Sequence, residues 1–177
     1  MKSTSEQRDS AAAVAMAEVE MQIRGLMIDP LTNMPIVVLK DVASDTVLPI
    51  WMGIFEANAI ALELEKTATP RPMTHDLMRN MARGLNAVVQ KVVVSELRDD
   101  TFLAVIWMEQ DGEMVALDAR PSDAIALALR WDCPVYASRE VLENAKQVAE
   151  GPQNASGEEM RHWLQNLNDD DMGRYKM

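Results

Sequence analysis

The chain has 177 residues and a formal net charge of −11, enough length for one ordinary domain that buries roughly two-thirds of its unfolded surface. Its single cysteine, Cys133, excludes an intrachain disulfide and a cysteine-built zinc site and suits a reducing cytoplasm, where we expect the protein to act. No apolar run approaches the roughly 18 to 20 residues that a spanning helix needs, so no membrane association is expected, and the acidity argues against holding nucleic acid through a broad basic face.

Residues 1–18 read as a flexible leader: the alanine-rich run Ala11–Ala17 is short, and Glu6 and Asp9 interrupt the positive segment that an export signal requires. Val19–Ile28 is the first strand candidate, closed by the turn residues Asp29-Pro30-Leu31-Thr32-Asn33. Pro35–Lys40 and Thr46–Met52 form a hairpin whose second arm carries Pro49, a sign of an edge or a bulge. Gly53 opens a helix over Ile54–Lys66, which the two prolines of Thr67–Pro72 terminate.

Thr74 is read as the N-cap of a second helix, with Leu77, Met78, Met81 and Leu85 on an inner, core face and Arg79, Asn80 and Arg83 on a wet outer face. Val88–Leu97, Thr101–Glu109 and Glu113–Ala119 follow as an antiparallel meander with turns at Arg98-Asp99-Asp100 and Gln110-Asp111-Gly112. Pro121 opens a helix to about Trp131, so apolar over Ala124–Leu129 that it is expected at the centre or under a second subunit. A short strand Val135–Ala137 and a Ser138-capped helix to about Val148 complete the domain, residues 19–150. Residues 151–177 read as a linker and a short helical tail, Glu158–Leu167, with Met160, Trp163, Leu164 and Leu167 on one face.

The string Ala59-Ile60-Ala61-Leu62-Glu63-Leu64 returns as Ala124-Ile125-Ala126-Leu127-Ala128-Leu129, each time after a hairpin. We read this as a duplicated β-β-α unit, and the fold class as α+β, a compact mixed domain with antiparallel strands.

Three segments in order carry a family resemblance: Leu48-Pro49-Ile50-Trp51-Met52-Gly53 with Phe55-Glu56-Ala57, then Thr74-His75-Asp76-Leu77, then Asp118-Ala119-Arg120-Pro121-Ser122-Asp123-Ala124-Ile125-Ala126-Leu127. Together they resemble the signature of the bifunctional nuclease family over Val19 to about Ala149, and the ending Gly173-Arg174-Tyr175-Lys176-Met177 resembles the tail of many bacterial members. The resemblance implies hydrolysis of both DNA and RNA by a mixed α/β domain that tends to self-associate, hence a homodimer or larger oligomer.

Phosphodiester hydrolysis needs a positioned water, charge relief on the phosphate and help for the leaving oxygen, which carboxylates holding divalent cations can supply. Asp118, at a strand end, and Asp123, in the first turn of the next helix, are the candidate ligands for Mg²⁺ or Mn²⁺, with Arg120 between them as a phosphate clamp. In the first copy of the repeat their counterparts are Gly53 and Asn58, so the architecture itself does not demand two acids there. Glu56 and His75 are the further catalytic candidates, as a ligand and a proton-transfer group, provided that the fold brings the starts of the two repeat helices together. Each also has a plain structural role open to it at a helix start. Arg98 and Arg71 are candidate nucleic-acid contacts, with Arg79 and Arg83 behind them. The alternative is a non-enzymatic regulatory or ligand-binding module using the same acidic and arginine-bearing junction.

Overall fold

The structure, a computed structural model, describes residues 18–30 and 32–150. The leader up to residue 17 and the tail from residue 151, with its expected helix, lie outside the described residues. In chain order the elements are β1 (Glu18–Ile28), β2 (Pro35–Asp41), β3 (Val47–Trp51), α1 (Ile54–Leu64), α2 (Thr74–Gly84), β4 (Ala87–Arg98), β5 (Thr101–Gln110), β6 (Glu113–Ala119), α3 (Pro121–Trp131), β7 (Val135–Ser138) and α4 (Arg139–Glu150).

The seven strands of the described residues form one mixed sheet in the order β3-β2-β1-β7-β4-β5-β6, so the fold is α+β. Two antiparallel meanders, each followed by a helix, flank β7, which runs antiparallel to β1 and parallel to β4. Pro49 lies on β3, an edge strand, where its missing N–H leaves no ladder bond unmade. Both turns of the β4-β5-β6 meander have positive φ at two successive residues, Asp99-Asp100 and Asp111-Gly112, the backbone that matches strand twist in tight hairpins. The β1–β2 turn is tied by buried Asp29, whose carboxylate accepts from Thr32 Oγ1 (2.6 Å) and Trp51 Nε1 (3.0 Å).

Alternate residues of the strands, among them Val37, Leu39, Val92 and Val94, meet the buried residues of α1, α3 and α4 in one cluster. At its centre is α3: Ala124, Ile125, Ala126 and Ala128 are almost inaccessible, which resolves the all-apolar helix as a core element of its own domain. The two helices of the sequence echo, α1 and α3, pack on each other. Pro121 is the first residue of α3, and the Ser138 hydroxyl accepts from Val141 N–H (3.1 Å) at the start of α4, as the sequence predicts.

The second helix departs from expectation. Its first residue is Thr74 and its N-cap is Met73, whose N–H donates to the Asp76 carboxylate (2.9 Å). Its orientation is inverted as well: Leu77, Met78, Met81 and Leu85 are exposed, while His75 is buried and Asp76 and Arg79 face α3. The cause is Arg130 at the end of α3. Its side chain, only 2% exposed, donates Nε–H to Asp76 (2.6 Å) and Nη1–H to the carbonyls of Ala59 (3.2 Å) and Ala126 (2.9 Å). A buried guanidinium requires a carboxylate, and α2 turns its polar face inward to supply one. No helix of the described residues is long and apolar enough to cross a membrane.

Candidate active site

The first turns of three helices meet in one polar cluster. Asp123 comes from the first turn of α3, Glu56 from the first turn of α1, and His75 from the second residue of α2. Arg120, the N-cap of α3, lies between the two acids: its Nε–H donates to Asp123 Oδ2 (2.7 Å) and its Nη1–H to Glu56 Oε1 (2.8 Å). His75 Nε2 is 2.9 Å from Asp123 Oδ1 on the buried side. The condition attached to Glu56 and His75 is therefore met, because Arg120 joins the starts of α1 and α3 across 64 residues.

Local sequence explains these placements. Gly53, the N-cap of α1, has no side chain, and the Glu56 carboxylate folds over it; a Cβ there would collide with Oε2. Pro121 fixes the first residue of α3 with a ring that has no N–H to satisfy, leaving Asp123 and the extended Arg120 to face the cluster.

Burial works to raise the Asp123 carboxyl, but the hydrogen bonds from Arg120 and then His75, with their charges, outweigh it and hold the group below the usual carboxylate range. The bonds to Asp123 and then Glu56 push the Arg120 guanidinium above its ordinary value. The cluster thus presents a permanent cation braced by two carboxylates, and that cation remains largely open to solvent, its side chain 65% exposed. Nη2 carries no bond within the cluster and is available to a phosphate oxygen.

Asp118 stands apart. It lies on exposed β6, opposite Val105, and has no hydrogen-bond or ion-pair partner among the described residues. Among those residues no group of three or more His, Cys, Asp and Glu side chains is arranged for a metal ion. Each oxygen of Asp123 already accepts a bond, and a divalent cation there would sit against the Arg120 guanidinium. The donor set fits an arginine-centred ion cluster better than a metal site.

The remaining candidates are elsewhere. Arg98, at the end of β4, is engaged by Glu96 through two bonds of 2.9 and 2.7 Å. Arg71 lies in the loop between α1 and α2 and lines a cavity there. Sequence reasoning missed Asp76 and Arg130 as the pair that orients α2; the available signal was a lone arginine ending an otherwise apolar helix.

The sequence model described as the bifunctional nuclease domain matches residues 37–150. An uncharacterized protein of Mycobacterium tuberculosis is 36% identical over 126 residues, 71% of this chain and 75% of that protein. Bifunctional nuclease 1 of Oryza sativa subsp. japonica is 27% identical over 112 residues, covering 62% of this chain but 34% of its own length. Bifunctional nuclease 2 of the same plant is 24% identical over 111 residues, 60% of this chain and 34% of its own length.

Proposed function

Because the chain belongs to the bifunctional nuclease domain family, we propose that it hydrolyses phosphodiester bonds of DNA and RNA with little sequence preference, at the cluster of Arg120, Glu56, Asp123 and His75. The observation that carries this reading is the solvent-facing Arg120 guanidinium held at 2.7 and 2.8 Å between Asp123 and Glu56. It offers a fixed, preorganised positive charge to a phosphate, with a carboxylate beside it.

In this mechanism Arg120 binds a non-bridging phosphate oxygen and neutralises the charge that builds up during attack. Glu56 takes a proton from a water as its oxygen bonds to phosphorus, and the bond to the leaving sugar oxygen breaks, that oxygen being protonated from solvent. Asp123 positions Arg120, and buried His75 positions Asp123. The overall acidity, −11, makes this local cation the point of contact and predicts a shallow salt dependence of binding, since few phosphates are neutralised.

Purified protein acting on single-stranded DNA and RNA oligonucleotides tests the reading. Glu56→Gln is expected to lower kcat by about 10²- to 10⁴-fold, and Arg120→Ala to raise KM as well. Cleavage unchanged in both variants would sink the proposal and point to a contaminant. Dependence on Mg²⁺ or Mn²⁺ through Asp118 and Asp123 is a separate proposal: activity lost in excess chelator and in Asp118→Ala supports it, and activity kept in both removes it.

The alternative, a non-enzymatic module, is favoured by the closure of the network, in which both acids are spent on Arg120. Its signature is oligonucleotide binding that needs Arg120 without any cleavage. A cytoplasmic setting is part of the same proposal and rests on the lone, half-buried Cys133, whose thiol burial pushes up to about 11 and so keeps unreactive.

A further inference from the structure

A second polar feature lies on the other side of the first turn of α2. The loop between α1 and α2 borders an open, solvent-facing cavity of about 290 Å³, at the small end of the range for ligand pockets. Neither Arg120 nor Asp123 nor His75 lines it, and the arginines Arg71, Arg79 and Arg130 do. Its cations outnumber its acids. Glu63 is paired with Lys66 (2.9 Å) and Asp76 with Arg130 (2.6 Å); Asp76 also feels the charge of Arg79, but neither Arg71 nor Arg79 has a carboxylate within ion-pair distance among the described residues.

Arg79 is held poorly. Its Nη1–H reaches the Arg130 carbonyl at 3.3 Å, and its Nε is buried without a partner. An arginine left with an unsatisfied donor gains two parallel bonds by turning onto an anion, at the loss of one long one. Thr67, Thr69 and Asn80 add neutral polar residues to the wall, the Thr69 hydroxyl donating to the Arg71 carbonyl (2.9 Å), and Pro70 and Pro72 restrict the loop that carries Arg71, so little ordering is required on binding.

We propose that this cavity binds a phosphate group, with Arg71 and Arg79 as its cations, and that the group belongs to a nucleotide. The nucleotide identity rests on the nuclease reading; the binding of phosphate does not. In a nuclease, a site that adjoins the Arg120 cluster through the first turn of α2, where Asp76 follows His75, holds a neighbouring phosphate of the strand or a released mononucleotide.

Isothermal titration calorimetry of the full chain with inorganic phosphate, AMP and adenosine tests it. Phosphate and AMP are expected to bind and adenosine not to. Affinity is expected to fall at least about tenfold, the loss of one charge-assisted pair, in Arg71→Ala, an exposed loop position, and further when Arg79→Gln is added. AMP binding tighter than phosphate identifies a nucleotide site, and equal affinities identify free phosphate. The calorimetry reads binding and not turnover, so failure of the cleavage assay leaves this proposal standing. It is overturned if neither phosphate nor AMP binds at millimolar concentration, or if binding survives Arg71→Ala and disappears in Arg120→Ala.

Discussion

Replacing Arg130 by methionine tests the account of why α2 lies as it does. The guanidinium is almost wholly buried, makes its 2.6 Å bond to Asp76 and donates to two main-chain carbonyls of α1 and α3. Methionine fills a similar volume but leaves a carboxylate facing the interior without a cation. Removing one partner of a buried ion pair costs about 3 to 5 kcal/mol. Asp76 keeps its bond from Met73 N–H and is a fifth exposed, so the low end applies, about 3 kcal/mol. For a chain of this length that corresponds to a fall in Tm of about 6 to 12 °C. Urea unfolding followed by far-UV circular dichroism measures the free energy. Adding Asp76→Asn to Arg130→Met should recover part of the loss, because the unpaired charge is then gone. A loss below about 1 kcal/mol would mean that the pair is screened like a surface bridge, and the explanation of the inverted helix would fail.

Two further outcomes follow from the same geometry. Asp123 and Asp76 both have folded-state values below the usual carboxylate range: burial opposes ionisation in each, and it is outweighed by Arg120 and His75 for Asp123 and by the Met73 N–H and Arg130 for Asp76. The folded protein therefore favours their ionised forms, so their stabilisation is complete above about pH 4, the unfolded value, and is lost as pH falls through the lower folded values. The urea midpoint should drop steeply below pH 4 in the wild type and less steeply in Asp123→Asn with Asp76→Asn; parallel curves would refute this. Leu77, Met81 and Leu85 are 54, 59 and 63% exposed on one side of α2, and a contiguous apolar stripe of this kind is costly to leave in water. We expect it to be the surface of self-association, so that light scattering gives a dimer or larger and Leu77→Glu with Met81→Glu gives a monomer; a wild-type mass near 19.8 kDa at all micromolar concentrations would refute it.

Much of the fold was legible because its signals are local. The β4-β5-β6 meander is announced by the Asp99-Asp100 and Asp111-Gly112 turns, and α3 by Pro121 and six apolar residues. The edge position of β3 is carried by Pro49. The face of α2 was misread because periodicity shows that a helix is amphipathic without showing which side meets the protein. That choice was made by Arg130, 54 residues from Asp76. At the site, Arg120, Asp123, Glu56 and His75 were legible as residue types at helix starts, and the internal echo hinted that two of those starts are neighbours. What adjacency in sequence does not reveal is how the chain places the two acids: Asp118 lies on exposed β6, while Asp123 turns toward Arg120 and His75.

The position of β7 bears on how the domain is made. Its four residues come almost last in the described chain, yet they alone join β1 to β4: Glu18 pairs with Ser138, and Val94 with Ala137. During synthesis each meander can form as it emerges, but each then carries an open inner edge until Val135–Ser138 leaves the ribosome. The sheet is completed by pairings that span nearly the whole domain, which makes closure a late and slow event. Until then β1 and β4 present unpaired backbone to any passing strand, including the same edges of a neighbouring nascent chain.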